Sequence, residues 1–104
     1  MTVQFSGFDW DAGNREKCLK HGVSIAEIEF LFMESRLRVR PDIEHSQSEQ
    51  RFQAVGRTEA GRHVFLVFTL RGAPPPSLIR PISARYMHKP EVEAYEEAIS
   101  RLQE

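Results

Sequence analysis

Little in this sequence would fix the chain by covalent or metallic means. Cys18 is the only cysteine, so no internal disulfide can form, and a reducing compartment is consistent with that. Cys18 and His21 have a half-site spacing on a helix, but no second cysteine exists, and His45, His63 and His88 lack paired ligand spacing. No metal is expected. The longest uninterrupted apolar stretch, Val64 to Phe68, falls far short of the roughly 20 residues that a membrane helix needs. No basic-then-apolar leader pattern opens the sequence. These absences predict a cytoplasmic protein with no membrane contact. A Gly-rich phosphate loop, a nucleophile elbow and a dinucleotide fingerprint are also missing, so no cofactor is expected.

At 104 residues and 40% hydrophobic content, the chain suits a single domain, 1–104, with one modest core. Excess charge of one sign is lacking too: the formal net charge is −1, which argues against a surface that clings everywhere to nucleic acid. The distribution is uneven. Residues 1–35 carry three basic and six acidic side chains, residues 36–85 nine and four, and residues 86–104 two and five. All nine basic residues of the middle segment are arginine, whose planar fork binds phosphate or carboxylate through two hydrogen bonds. That points to an anion-facing surface in the middle of the fold, the alternative being that each arginine merely solubilises its strand.

Asp11 suits the cap of a first helix of about ten residues that ends near His21, with Gly22 as its stop. Ser24 and Glu27 form a capping-box pattern for a second helix, which runs to about Glu34 with Ile25, Ile28, Leu31 and Phe32 on one face. Leu37 and Val39 alternate with Arg36, Arg38 and Arg40, predicting a half-buried strand stopped by Pro41, its arginines on one face. The stretches Glu49–Arg57 and Arg62–Arg71 flank Thr58, Glu59, Ala60 and Gly61, a connection of hairpin length. Both faces of the second stretch are apolar, so it should be a central strand. Gly72 and Pro74 to Pro76 give a stiff loop over 72–77 before a fourth strand near Leu78 to Arg85, where Pro81 requires an edge or a bulge. Pro90 suits the first turn of a last helix with Val92, Tyr95, Ile99 and Leu102 on its apolar side. The expected class is α+β: two N-terminal helices, a four-stranded mainly antiparallel sheet and a C-terminal helix.

Several strings stand in order over residues 8–97: Phe8-Asp9-Trp10-Asp11, Lys20-His21-Gly22-Val23-Ser24, His45-Ser46 with Glu49 and Arg51, Gly56, and Ile79-Arg80-Pro81-Ile82-Ser83-Ala84-Arg85. Together they resemble the BrnT family. The resemblance implies a RelE-like fold, a ribonuclease toxin of a type II toxin–antitoxin system, and neutralisation by a BrnA-like antitoxin with a ribbon-helix-helix DNA-binding domain. Direct DNA binding by this chain is not expected, since its ends are acidic and no DNA-reading helix is recognisable. The chain departs from the pattern at Lys17, where family members often have asparagine, at Pro81, where many have isoleucine, and at Pro90, which interrupts a charged stretch.

Cleavage of RNA without metal requires a base for the 2′-hydroxyl, cations for the phosphate and an acid for the leaving oxygen. His21, after Lys20 at a helix end, suits the acid, or equally a helix C-cap. Glu49 and Arg51, two apart in one expected strand, suit a base and a phosphate clamp, or a surface ion pair within that strand. Arg85 is the first candidate for phosphate, with Arg71, Arg80, Lys20 and Tyr86 behind it. Arg85 could instead pair with an acidic residue of the last helix, and Tyr86 could be a core-edge aromatic. The competing function is a module without catalysis that binds an antitoxin and modulates its DNA binding.

Overall fold

The computed structural model describes residues 4–45, 48–72 and 77–102. Ser46 and the prolines of the expected 72–77 loop lie outside the described residues. In chain order the elements are β1 (Phe5–Phe8), α1 (Ala12–Leu19), α2 (Ile25–Leu31), β2 (Arg38–Pro41), β3 (Arg51–Arg57), β4 (His63–Arg71), β5 (Ser77–Tyr86) and α3 (Lys89–Leu102). The class is α+β, as expected. The sheet has five strands rather than four, in the order β1-β5-β4-β3-β2, with β1 parallel to β5 and the other pairs antiparallel.

The added strand, Phe5-Ser6-Gly7-Phe8, is too short to alternate, and its pairing with β5 shifts register at Gly7. A parallel partner some seventy residues away leaves no hairpin signal in the sequence. Its phenylalanines explain why it docks. Phe5 and Phe8 meet Phe32 edge-on at 5.8 and 5.7 Å between centroids, Phe32 meets Phe68 at 5.1 Å, and Phe68 stacks on Phe52 at 5.3 Å. These spacings are favourable for aromatic pairs.

On the same side, Cys18, Val23, Ile28 and Leu31 of the first two helices pack against Phe52, Ala54, Val64, Leu66, Phe68, Ile79 and Ala84 of the sheet. Cys18 is fully buried there, and burial pushes its thiol up to about 11. Gly56 lets α2 approach closely: a Cβ there would stand 3.3 Å from Leu31 and 3.4 Å from Leu37. Gly22, with φ +89°, turns the chain after α1.

β4 is the central strand, and the whole of β3 pairs with it from Arg51↔Thr69 to Arg57↔His63. Pro81 is not at an edge, because β5 lies between β1 and β4. Instead the register shifts beside it, with Phe68 opposite Pro81 but Val67 opposite Ser83. A bulge is where a strand accommodates a residue without an N–H. Pro41, by contrast, falls inside β2, which is an edge strand.

α1 begins with a capping box, but its N3 partner is Asn14 in place of the usual Glu or Gln. The Asn14 amide accepts from the Asp11 N–H at 2.7 Å and donates to the carbonyls of Asp9 and Pro81, both at 2.9 Å. It is 4% exposed. Arg80 adds an ion pair to Asp11 at 3.0 Å and one to Asp9 at 3.4 Å.

α3 lies over the opposite face of the sheet, where β4 begins. Tyr95 and Ile99 are buried, whereas Leu102 is exposed. The Tyr95 ring meets His63 edge-on, and its hydroxyl donates to the Arg36 carbonyl at 2.6 Å. Among the described residues no helix is long and apolar enough to cross a membrane.

Asn14→Ala should destabilise the chain by about 2–4 kcal/mol, because it leaves the buried Pro81 carbonyl and the half-buried Asp9 carbonyl without a donor and opens the capping box. Urea unfolding of the variant measures this directly. A loss below about 0.5 kcal/mol would mean that water replaces the amide at no cost.

Candidate functional site

β3 ends, β4 begins and β5 ends on one rim of the sheet, so the register brings Arg57, His63, Arg85 and Tyr86 there from separate stretches of sequence. Residues on β4 alternate between faces. Arg85 stands opposite Phe65 and Tyr86 opposite Val64, so these neighbours in sequence project to opposite sides.

On the α3 side, Arg85 makes a two-pronged pair with Glu91, Nη1 to Oε1 and Nη2 to Oε2, both at 2.8 Å. The pairing with the last helix, one of the two roles open to Arg85, is therefore realised. The guanidinium also lies 4.8 Å from the centroid of the Phe65 ring. Glu91 accepts a further bond from the His88 N–H at 2.8 Å. Arg85 and then that N–H hold the Glu91 carboxyl down to about 2.

Five residues further along α3, Glu96 meets Nε2 of His63 at 2.7 Å, with Arg36 and Arg57 each at 3.9 Å. The His63 bond, ahead of the two arginines, lowers the Glu96 pKa. A histidine held by a carboxylate has its ring and tautomer fixed, an arrangement suited to proton transfer.

On the α2 side, the Tyr86 hydroxyl donates to Glu27 at 3.0 Å, and the Arg62 guanidinium lies 3.4 Å from the ring centroid. Burial and then the Glu27 carboxylate raise the phenol above its ordinary value, so it stays protonated. The same hydroxyl lies 3.4 Å from the Gly22 carbonyl, which brings the exposed Lys20 and His21 to this rim. α1 ends at Leu19 with Lys20 as its C-cap, so His21 stands just beyond the helix.

The other sequence candidates lie at the far end of the sheet. Glu49 precedes β3 instead of lying in it, so it does not share a strand face with Arg51, and its ion-pair partner is Arg71. Arg71 is six residues along β4 from Phe65, or roughly 20 Å at strand spacing. Arg51 stands across from Thr69, roughly 13 Å along the same strand from the position that faces Arg85. Arg80 holds Asp9 and Asp11, and His45 holds Asp42 at 3.1 Å. The structure thus gathers Lys20, His21, Arg85 and Tyr86 at one end and Glu49, Arg51 and Arg71 at the other.

Sequence reasoning did not single out Arg57, Arg62 or Glu96, took Glu27 only as the capping-box partner of Ser24, and weighed His63 only as a metal ligand. Alternation along β4 puts His63 on the face of Phe65, but only the docked α3 reveals its carboxylate. Among the described residues no group of three or more His, Cys, Asp or Glu side chains is placed to share a metal ion.

Residues 10–91 match a family described as ribonuclease toxin, BrnT, of type II toxin-antitoxin system. No curated protein matches the chain at a significant level.

The Arg85–Glu91 pair should make α3 docking sensitive to acid. Glu91 is depressed from 4.5 to about 2, so its contribution to stability is complete above about pH 4.5 and is lost as pH falls through about 2. Urea unfolding of the wild type and of Glu91→Gln should differ most near neutrality and converge between those limits. A constant difference across that range would remove the pair from the pH response.

Proposed function

The chain belongs to the BrnT family of ribonuclease toxins of type II toxin–antitoxin systems, and from that premise we propose that it is a cytoplasmic endoribonuclease that cleaves RNA without metal. The observation that carries this reading is the gathering of Arg36, Arg57, Arg62, His63 and Arg85 at one rim of the sheet, with Glu27, Glu91 and Glu96 drawn onto it. A surface that holds carboxylates through charge-assisted bonds presents the same donors to phosphate.

In the proposed reaction the ribose 2′-oxygen attacks the adjacent phosphorus, its proton passes to a base, and the bond to the 5′-oxygen breaks as an acid protonates that oxygen. The products are a 2′,3′-cyclic phosphate and a 5′-hydroxyl. Arg85 holds the phosphate after leaving Glu91 on the α3 side, and His21, with Lys20 and Tyr86, supplies the acid from the α2 side, so the scissile phosphate sits over the rim between the two faces. The sequence pairs Glu49 with Arg51 as base and clamp. Since Glu49 and Arg71 stand roughly 20 Å from Arg85, we assign that end, with Arg51, to the RNA backbone beyond the scissile phosphate. Arg80, engaged with two aspartates, contributes to phosphate only secondarily.

The family implies an antitoxin partner. We take it to be BrnA-like, with an acidic or helical segment that covers the face bearing Arg38, Arg85, Phe65 and Val67, so that partner and RNA compete. A RelE-like relation of the fold belongs to the same proposal, supported by helices before and after a mainly antiparallel sheet.

Purified toxin, freed of antitoxin, should cleave RNA in chelator and leave 2′-deoxy positions intact. Arg85→Ala should lower kcat by about 100-fold or more, the scale of losing one donor to developing charge, and should relieve growth arrest while circular dichroism stays unchanged. Cleavage that needs added magnesium would contradict metal independence, and undiminished toxicity of folded Arg85→Ala would remove Arg85 from the mechanism.

A further inference from the structure

Between α3 and the open face of the sheet runs a groove of about 370 Å³, within the range of roughly 300–1,000 Å³ typical of pre-formed small-molecule sites. Val55 and Phe65 line it from the sheet, and Met87, Ala94, Tyr95 and Ala98 from the α3 side. Arg38 and Arg40 stand along it on β2. Its one lining carboxylate, Glu91, is already engaged by Arg85.

Arg38 is under-committed. Its Nη1 donates to the neighbouring Leu37 carbonyl at 3.1 Å, its Nε is buried with no partner, and no carboxylate lies within ion-pair distance among the described residues. Leaving a buried donor unpaired costs free energy, so a small swing of the head toward an acceptor in the groove is favoured. Arg40 is held by Gln53 at 2.8 Å, a neutral partner that leaves its charge uncompensated.

We propose that this groove receives one base of single-stranded RNA against Phe65 and Tyr95, with Arg38 facing its polar edge, while the adjoining phosphate occupies Arg85 in place of Glu91. The inference rests on the ribonuclease reading above and adds to it a base subsite. A flat aromatic face joined to an anion matches an apolar slot bounded by cations, the combination by which proteins bind single strands. The two subsites are contiguous, because Phe65 lines the groove and also carries the Arg85 guanidinium against its ring. An apolar side chain of a protein partner would fill the slot but leave Arg38 uncompensated.

The test narrows the groove from α3. Ala94 and Ala98 are exposed on that helix, and leucine is nearly as good a helix former as alanine. Ala94→Leu/Ala98→Leu should bind a fluorescent 2′-O-methyl hexanucleotide about tenfold more weakly, the scale of one lost base stack, with an unchanged thermal midpoint. Nucleoside monophosphates added to the wild-type chain should shift the amide signals of Val55, Phe65 and Ala98. Unchanged hexanucleotide binding by the folded double variant, or monophosphate shifts confined to other surfaces, overturns the inference. So does a double variant that keeps RNA but loses the antitoxin, which would give the groove to protein. If the double variant misfolds, the monophosphate titration of the wild type decides. Loss of cleavage in Arg85→Ala alongside full activity of the double variant would refute the base subsite while leaving the ribonuclease intact. Full activity of Arg85→Ala with weakened RNA binding by the double variant would do the reverse.

Discussion

The Asn14 side chain joins three parts of the chain at one buried point. It closes the capping box of α1, takes the carbonyl of Asp9 as β1 ends, and takes the carbonyl of Pro81 at the bulge of β5. The proline makes this necessary. It brings no N–H to the ladder, the register shifts beside it, and a carbonyl there would otherwise be buried without a partner. Arg80, one residue earlier, fastens the same seam through Asp9 and Asp11. Because Arg85 and Tyr86 follow on the same strand, the height at which they reach the rim is set where Asn14 meets Pro81.

A net charge near zero conceals the second organising constraint. The chain is acidic at both ends and arginine-rich between them, and folding lays the ends on the middle. Asp9 and Asp11 meet Arg80, Glu91 meets Arg85, and Glu96 meets Arg36, Arg57 and His63. Pairs this exposed are worth only about 0–1 kcal/mol each, small beside the burial of Tyr95 and Ile99 that seats α3. A phosphate can therefore take over an arginine without the helix coming off.

The parts of the fold legible in the sequence are those with local causes. The Ser24 box, the turn at Thr58 to Gly61 and the two apolar faces of β4 each follow from neighbouring residues, and Pro81 narrows its own site to an edge or a bulge. β1 was illegible because its pairing is parallel and remote, and because four residues with a glycine carry no period. Asn14 was missed because asparagine is a rare third residue of a capping box, and its acceptors come from Asp9 and Pro81. The candidate site divides in the same way. Arg85 and Tyr86 stand where their string suggests, yet on opposite faces, as alternation requires. Glu49 and Arg51 looked like neighbours on a strand that in fact begins after Glu49. The partners of the rim, Glu27, Glu91 and Glu96, depend on helix docking, which no local pattern encodes.

Cys18 sits on α1 against this seam, fully buried, its thiol held near 11. At neutral pH on the order of one molecule in ten thousand carries the thiolate that reacts with oxidants or alkylating reagents. Because the side chain is also fully buried, modification must wait for α1 to lift from β5. The lone sulfur is thus a clock inside the molecule: the rate at which it is consumed records how often the joint at Asn14 comes apart, and whatever clamps the toxin shut will slow it.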